Sequence, residues 1–172
     1  MLAIIQAFLN IALRRLGPED LPDSNFLLGV TFIIYLLAQL PMAWIVFGST
    51  NDIARILLVD ATLLIFFLWA LLSFTGHRSR LRQTLTAVAG TSALLSILSI
   101  PFNVWYATSA NPETGPLIPS VIIALIVLWS FVIDGHIISR AIARPFVVGL
   151  MIAIAYFFVH TTLLYEFSPL PQ

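Results

Sequence analysis

Residues 84–108 read TLTAVAGTSALLSILSIPFNVWYAT, and this stretch decides the fold. It is apolar enough to cross a bilayer, yet its side chains are smaller and more polar than those of the other apolar runs. Helices in lipid associate mainly through close backbone approach, which small residues allow. The stretch therefore predicts a central membrane span around which the other spans pack. Its small residues recur at helical spacing: Ala89, Gly90, Ser92, Ala93, Ser96 and Ser99.

The composition of the chain places it in the membrane. Of its 172 residues, 60% are hydrophobic and only 9% are charged, which is more apolar surface than a soluble domain of this size buries. Several apolar runs reach the ~20 residues that cross about 30 Å of hydrocarbon. We predict an all-α fold, a polytopic membrane helix bundle over residues 25–167. Its five transmembrane helices are expected at about residues 26–47, 53–75, 84–108, 117–139 and 146–165.

The first 16 residues are apolar but too short to span a bilayer. Gln6, Asn10 and Arg14 recur every four residues, so they form a narrow polar stripe on a helix. This pattern predicts an N-terminal interfacial amphipathic helix, which Gly17 and Pro18 end. The helix serves as an anchoring or packing element, as a docking site for a partner, or as a short spanning segment.

A polar linker completes the region 1–24, which we expect to be cytoplasmic. Its acidic side chains either pair locally with the neighbouring Arg14 and Arg15 or form a contact surface: Glu19, Asp20 and Asp23. At the other end of the chain, residues 168–172 are predicted to form a short outer tail.

The arginines predict the orientation. The chain has eight basic side chains, all of them arginine. Two lie before the first span, three in residues 76–83 and two in residues 140–145, and five spans place all of these on one side, opposite Arg55. Because cytoplasmic loops carry excess basic residues, we expect a cytoplasmic N-terminus and an outer C-terminus. The use of arginine alone indicates a GC-rich bacterial genome, and hence a bacterial inner membrane. The candidate cytoplasmic contacts to anionic lipid headgroups or a partner are Arg14, Arg15, Arg78, Arg80, Arg82, Arg140 and Arg144.

Polar side chains inside the membrane form the second set of candidates. Ionisable groups at membrane depth are costly, so they mark functional sites by default. At ~1.5 Å per residue, four such residues on four spans fall into one layer of the outer leaflet. This layer either holds the helices together by hydrogen bonds or forms a proton or solute site. Its predicted members are Gln39, Asp60, Asn103 and His160.

Enzyme chemistry finds little support in the sequence. There is no cysteine, and H-E-x-x-H, G-x-S-x-G and P-loop motifs are absent. Residues 134–140 read DGHIISR, which differs in spacing from the D-G-x-x-A-R motif of CDP-alcohol phosphotransferases and has no downstream D-x-x-x-D. The only candidate axial ligands for a haem near the inner face are His136 and His77, and His77 lies in a loop. We therefore predict no enzyme, no cofactor and no metal, and the net charge of zero gives no reason to expect nucleic-acid binding.

The topology resembles that of the Yip (Ypt-interacting protein) family of small membrane proteins. The shared features are a cytoplasmic N-terminal segment, five closely spaced spans and a very short outer tail. Leu16-Gly17-Pro18 is similar to the end of the family's D-L-Y-G-P motif. The resemblance implies a non-enzymatic membrane protein that works through partners or lipids, and it implies no site residues.

The sequence thus favours a scaffold or accessory subunit that acts through its cytoplasmic face. Its expected partners are membrane lipids, including anionic headgroups, and either another protein or further copies of the chain. The alternative is a small transporter or proton-linked channel that uses the Asp60 and His160 layer.

Overall fold

The computed structural model describes residues 2–47, 50–109 and 116–167, and these ranges are helical, without strands. Five helices are long and apolar enough to cross a membrane, and a shorter apolar helix precedes them. The predicted all-α, multi-pass membrane bundle is thereby confirmed. The helices are α1 (Leu2–Ala12), α2 (Asn25–Phe47), α3 (Thr50–Phe74), α4 (Leu81–Thr108), α5 (Leu117–Ala141) and α6 (Phe146–Phe167), with single 3₁₀ turns at Pro18–Asp20 and Arg78–Arg80.

The five long helices all extend beyond the predicted spans at one end. The helices α3 and α4 each begin three residues earlier than expected and α2 begins one residue earlier, while α5 and α6 each end two residues later. The 28 residues of α4 measure about 42 Å, which exceeds the roughly 30 Å of hydrocarbon. Bilayer thickness limits an apolar run, but helical hydrogen bonding continues into the interface until the backbone leaves the helical region, as it does after α5 at Ala143, whose φ is 51°.

The first half of α4 is the packing centre. Residues 84–91 are buried without interruption, because α1, α2, α3 and α5 all contact α4. Its threonines bury their hydroxyls without breaking the helix, since each donates to a carbonyl of the preceding turn. The acceptors are Arg80 for Thr84, Arg82 for Thr86 and Ala87 for Thr91. Central packing was expected for the whole span, and it is found in this half.

The helix α1 packs into the bundle. Phe8 and Ile11 are buried in the core that α4 organises. A Cβ atom on Gly90 would clash with the Phe8 ring, so Gly90 provides the space for this contact. Gly90 lies nine residues, or about 14 Å, along α4 from its first residue. Of the three roles considered for the N-terminal segment, this geometry matches a packing helix.

The helices α5 and α6 approach each other through their backbones. A Cβ atom on Gly135 would lie 2.8 Å from the Leu150 Cα. A Cβ atom on Gly149 would clash with the Gly135 carbonyl oxygen and would lie 2.6 Å from the Ser139 amide nitrogen. Because these neighbours are main-chain atoms, no side-chain rotation relieves the overlap. The two glycines therefore set the separation of α5 and α6.

Replacing Gly149 by alanine is expected to lower the free energy of unfolding in mixed micelles by about 1–3 kcal/mol, because the added methyl group forces the two backbones apart. The matched control is Gly29→Ala on α2, where a Cβ atom meets nothing within 4 Å. Denaturant titration followed by circular dichroism measures both variants. Equal stabilities would show that the glycine contact does not set the α5–α6 packing.

Candidate functional site

The candidate site forms where α2, α3 and α6 meet. Asp60 lies ten residues, or about 15 Å, from the start of the 25-residue helix α3. Only 7% of its surface is exposed. A carboxyl group at this depth is tolerated only when other polar groups bind it. Asp60 therefore requires partners from the neighbouring helices.

Both oxygens of the Asp60 carboxyl group have such partners. Tyr35 Oη donates to Oδ2 at 2.5 Å, and Gln39 Nε2 donates to the same oxygen at 3.0 Å. His160 Nε2 lies 2.8 Å from Oδ1. Tyr35 and Gln39 are four residues apart on α2, so they share one helix face. We call Tyr35, Gln39, Asp60 and His160 the Asp60 cluster.

Aromatic side chains continue the cluster along α6. Tyr156 lies one turn before His160, with 5.4 Å between the ring centroids. Phe67 of α3 stacks on Tyr156 with 4.1 Å between the centroids. His160 and Tyr156 also line an apolar groove of about 390 Å³ between α3 and α6. One edge of the Asp60 cluster thus borders a groove on the membrane-facing side of the bundle.

This arrangement joins three helices and can exchange a proton between an imidazole and a carboxyl group. Each of the other three side chains contacts the Asp60 carboxyl group, as expected for interhelical hydrogen bonds that hold a bundle together. Among the described residues, no three side chains of His, Asp or Glu come together as a metal site. The cluster offers one carboxyl group and one imidazole, which is too few ligands to enclose a metal ion.

The structure brings together three of the four residues predicted as a polar layer, namely Gln39, Asp60 and His160. Asn103 does not join them, because its Nδ2 donates to the Ser99 carbonyl at 2.9 Å and its side chain lines another groove. Depth alone placed Asn103 in the layer, but depth does not determine which side of a helix a residue occupies. Tyr35 was missed, although its spacing of four from Gln39 was a usable signal.

The basic end of the bundle holds the predicted arginine contacts. The linker acids were expected to pair with Arg14 and Arg15 or to remain free as a contact surface. Instead, Asp23 pairs with Arg82 at 2.8 Å and Glu19 pairs with Arg140. Arg80 Nη1 donates to the carbonyls of Arg140 and Ala141, at 3.0 and 3.2 Å. These contacts join segments some 60 residues or more apart, so sequence proximity did not reveal them.

The linker itself is also bound to the bundle. Gln83 Nε2 donates to the Leu21 carbonyl at 2.8 Å, and His136 Nε2 lies 2.9 Å from the Leu16 carbonyl oxygen. We call the linker, together with the arginines that bind it, the arginine cap. Two of the remaining predicted contacts lie over aromatic rings. The Arg14 guanidinium lies 4.3 Å from the Phe146 ring centroid, and the Arg78 guanidinium lies 5.7 Å from the Trp69 ring centroid. The last two, Arg15 and Arg144, are exposed.

A double-mutant cycle tests the Asp60 cluster. Asp60→Ala is expected to lower the free energy of unfolding by about 2–4 kcal/mol, since it leaves the buried Tyr35 and the partly buried Gln39 and His160 without their acceptor. His160→Ala and the double variant should reveal a coupling energy of about 1–2 kcal/mol. Unfolding in mixed micelles provides the measurement.

The matched control for this cycle is Thr62→Ala, which removes an exposed hydroxyl bonded only to the Leu58 carbonyl of its own helix. It should change stability by less than about 0.5 kcal/mol. Additive effects of Asp60→Ala and His160→Ala would contradict a direct interaction between the two side chains.

The chain matches no protein-family model, and comparisons with curated proteins and with solved structures found no match. The resemblance to the Yip family therefore stays a prediction from topology. The function has to be argued from the geometry of the chain itself.

Proposed function

We propose that this multi-pass membrane protein is a non-enzymatic scaffold or accessory subunit of a bacterial inner membrane, and that it binds its partner through the arginine cap. The single observation that supports this role is that ion pairs and hydrogen bonds hold the cap to two helices. The linker is bound to α4 through Arg82 and Gln83 and to α5 through Arg140 and His136.

A cap held in this way is a preformed surface. Binding then requires little additional ordering of the linker, and reduced ordering favours affinity. The cap also encloses a cleft of about 400 Å³ whose lining includes Glu19, Arg80, Arg140 and Arg144. Glu19 offsets one of the three positive charges, and the exposed Arg144 is available to an acidic partner. The Yip-like topology, which implies action through partners, supports the same proposal.

The orientation is part of the proposal. The arginine cap and Arg78 lie at one end of the bundle, and Arg55 lies near the start of α3 at the other. By the positive-inside rule, the cap faces the cytoplasm, and the C-terminus lies outside.

The second candidate is a small transporter or proton-linked channel. The observation that favours it is the placement of Asp60 near the middle of α3, with His160 at 2.8 Å. An imidazole and a carboxyl group at this depth suit proton transfer. A scaffold requires only that this cluster holds the helices together. A transporter requires the Asp60 carboxyl group itself, because that group would carry the proton.

Reporter fusions test the orientation. Fusions after residues 79 and 143 are expected to report a cytoplasmic location, and fusions after residues 113 and 172 an outer location, because the arginine-rich segments remain inside. Paired cytoplasmic and periplasmic reporters at each position provide the control. A cytoplasmic report from residue 172 would contradict five spans with an inner N-terminus.

A charge exchange tests the cap. Arg140→Glu places a second acid beside Glu19 and should reduce the proteins co-isolated from native membranes about fivefold. Combining it with Glu19→Arg restores the opposite charges and is expected to restore co-isolation. Quantitative mass spectrometry after mild detergent extraction measures the yield.

The control for the charge exchange is Arg55→Glu, which makes the same charge change at the other end of the bundle and should leave co-isolation intact. Recovery of the wild-type chain without any associated protein would count against the scaffold. Equal yields from all variants would show that the cap is not the binding surface.

A further inference from the structure

A second groove crosses the membrane region on another side of α4. It has a volume of about 290 Å³ and lies between α2, α4 and α5. Its α4 wall extends from Ser92 to Asn103 and its α5 wall from Ile123 to Asp134, so each wall covers about 16 Å of helix. We call it the serine groove, after its polar side chains: Ser92, Ser96, Ser99, Asn103, Ser130 and Asp134.

The serine groove presents hydrogen-bond acceptors. The Ser99 hydroxyl donates to the Ser96 carbonyl, the Ser130 hydroxyl donates to the Val127 carbonyl, and the Asn103 amide donates to the Ser99 carbonyl. The Ser99 and Ser130 hydroxyls thus direct their hydrogens to their own helices and leave oxygen lone pairs free toward the groove. Among the residues that the structure describes, no arginine, lysine or histidine lines the groove. The groove therefore suits an occupant that donates hydrogen bonds or carries positive charge.

Asp134 supplies the charge for such an occupant. It lies seven residues, or about 10 Å, from the last residue of α5, and it forms no hydrogen bond or ion pair with another described residue. In this it differs from Asp60, which has three partners. An unpaired carboxyl group at membrane depth is a functional candidate whose partner has to come from outside the described chain.

The remaining walls of the groove are apolar, so they fit an apolar part of the occupant. They consist of Met42, Leu95, Ile123, Ile126 and Val127. Small-molecule sites combine such walls with a few polar groups that fix orientation. A bare metal ion would contact few of these side chains, and an anion would meet the Asp134 carboxyl group. A single carboxyl group balances a single positive charge.

We infer that the serine groove binds a small monovalent organic ammonium ion, with its charged group at Asp134 and its apolar part against α5. This inference goes beyond the proposed scaffold function and does not depend on the arginine cap. The groove also differs from the Asp60 cluster, because the two share no residue.

Titration of the full chain in phosphatidylcholine nanodiscs tests the inference. Benzylammonium chloride is expected to bind saturably in calorimetry, and sodium benzoate, with the same ring and the opposite charge, is expected not to bind. Asp134→Asn should weaken benzylammonium binding about 10- to 100-fold, since it removes the charged acceptor. Ser99→Leu fills the groove at unchanged charge and should weaken binding at least about tenfold.

The matched control is Thr62→Leu, which enlarges an exposed hydroxyl side chain on α3 away from the groove and should leave the affinity unchanged. If Asp134→Asn does not fold, Ser99→Leu and the benzoate comparison still decide the outcome. Absence of saturable benzylammonium binding, equal binding of benzoate, or undiminished binding by Ser99→Leu would each overturn the inference.

A protein occupant is the competing outcome. Because the chain contains no cysteine, Ser99→Cys creates a unique thiol in the groove. Cross-linking of this thiol to another transmembrane helix in native membranes would show that a helix of a partner or of a second copy covers the groove, and would overturn the small-cation assignment. Modification by a cationic thiol reagent that benzylammonium slows would support it.

Discussion

Close packing around the first half of α4 is the constraint on which the rest of the structure depends. Lipid provides little hydrophobic drive between helices, so association requires small residues that let backbones approach. The buried run over residues 84–91 meets this requirement, and Gly90 accepts the Phe8 ring from α1. Once α1 is seated there, the linker that follows it lies over the ends of α4 and α5. The arginine cap is therefore a consequence of the same packing.

The two intramembrane carboxyl groups, Asp60 and Asp134, differ in their surroundings, and this difference distinguishes a structural role from a binding role. Asp60 is bound by side chains from α2 and α6, so its polarity is used within the chain. Asp134 lines a groove and has no hydrogen-bond partner among the described residues. A carboxyl group with partners in the chain holds helices together, whereas one without a partner beside a groove is a candidate binding site.

Much of the fold was predictable, because the length and hydrophobicity of apolar runs decide which helices can cross a bilayer. The site was predictable in part. Depth counting along spans selected Gln39, Asp60 and His160, which do meet, and it wrongly added Asn103, which faces another side of α4. It also could not show that Glu19 pairs with Arg140 rather than with its sequence neighbours, since that contact depends on where α1 packs.

By itself, the sequence determined that this is an all-helical protein with five membrane spans and a short apolar helix before them. The reason is that length and hydrophobicity alone decide whether a helix crosses a bilayer. Only the tertiary structure decided which polar groups meet. Rotation of each helix about its axis and the seating of α1 are set by side-chain packing between segments far apart in the chain. That packing paired Asp60 with His160 and left Asp134 to face an open groove.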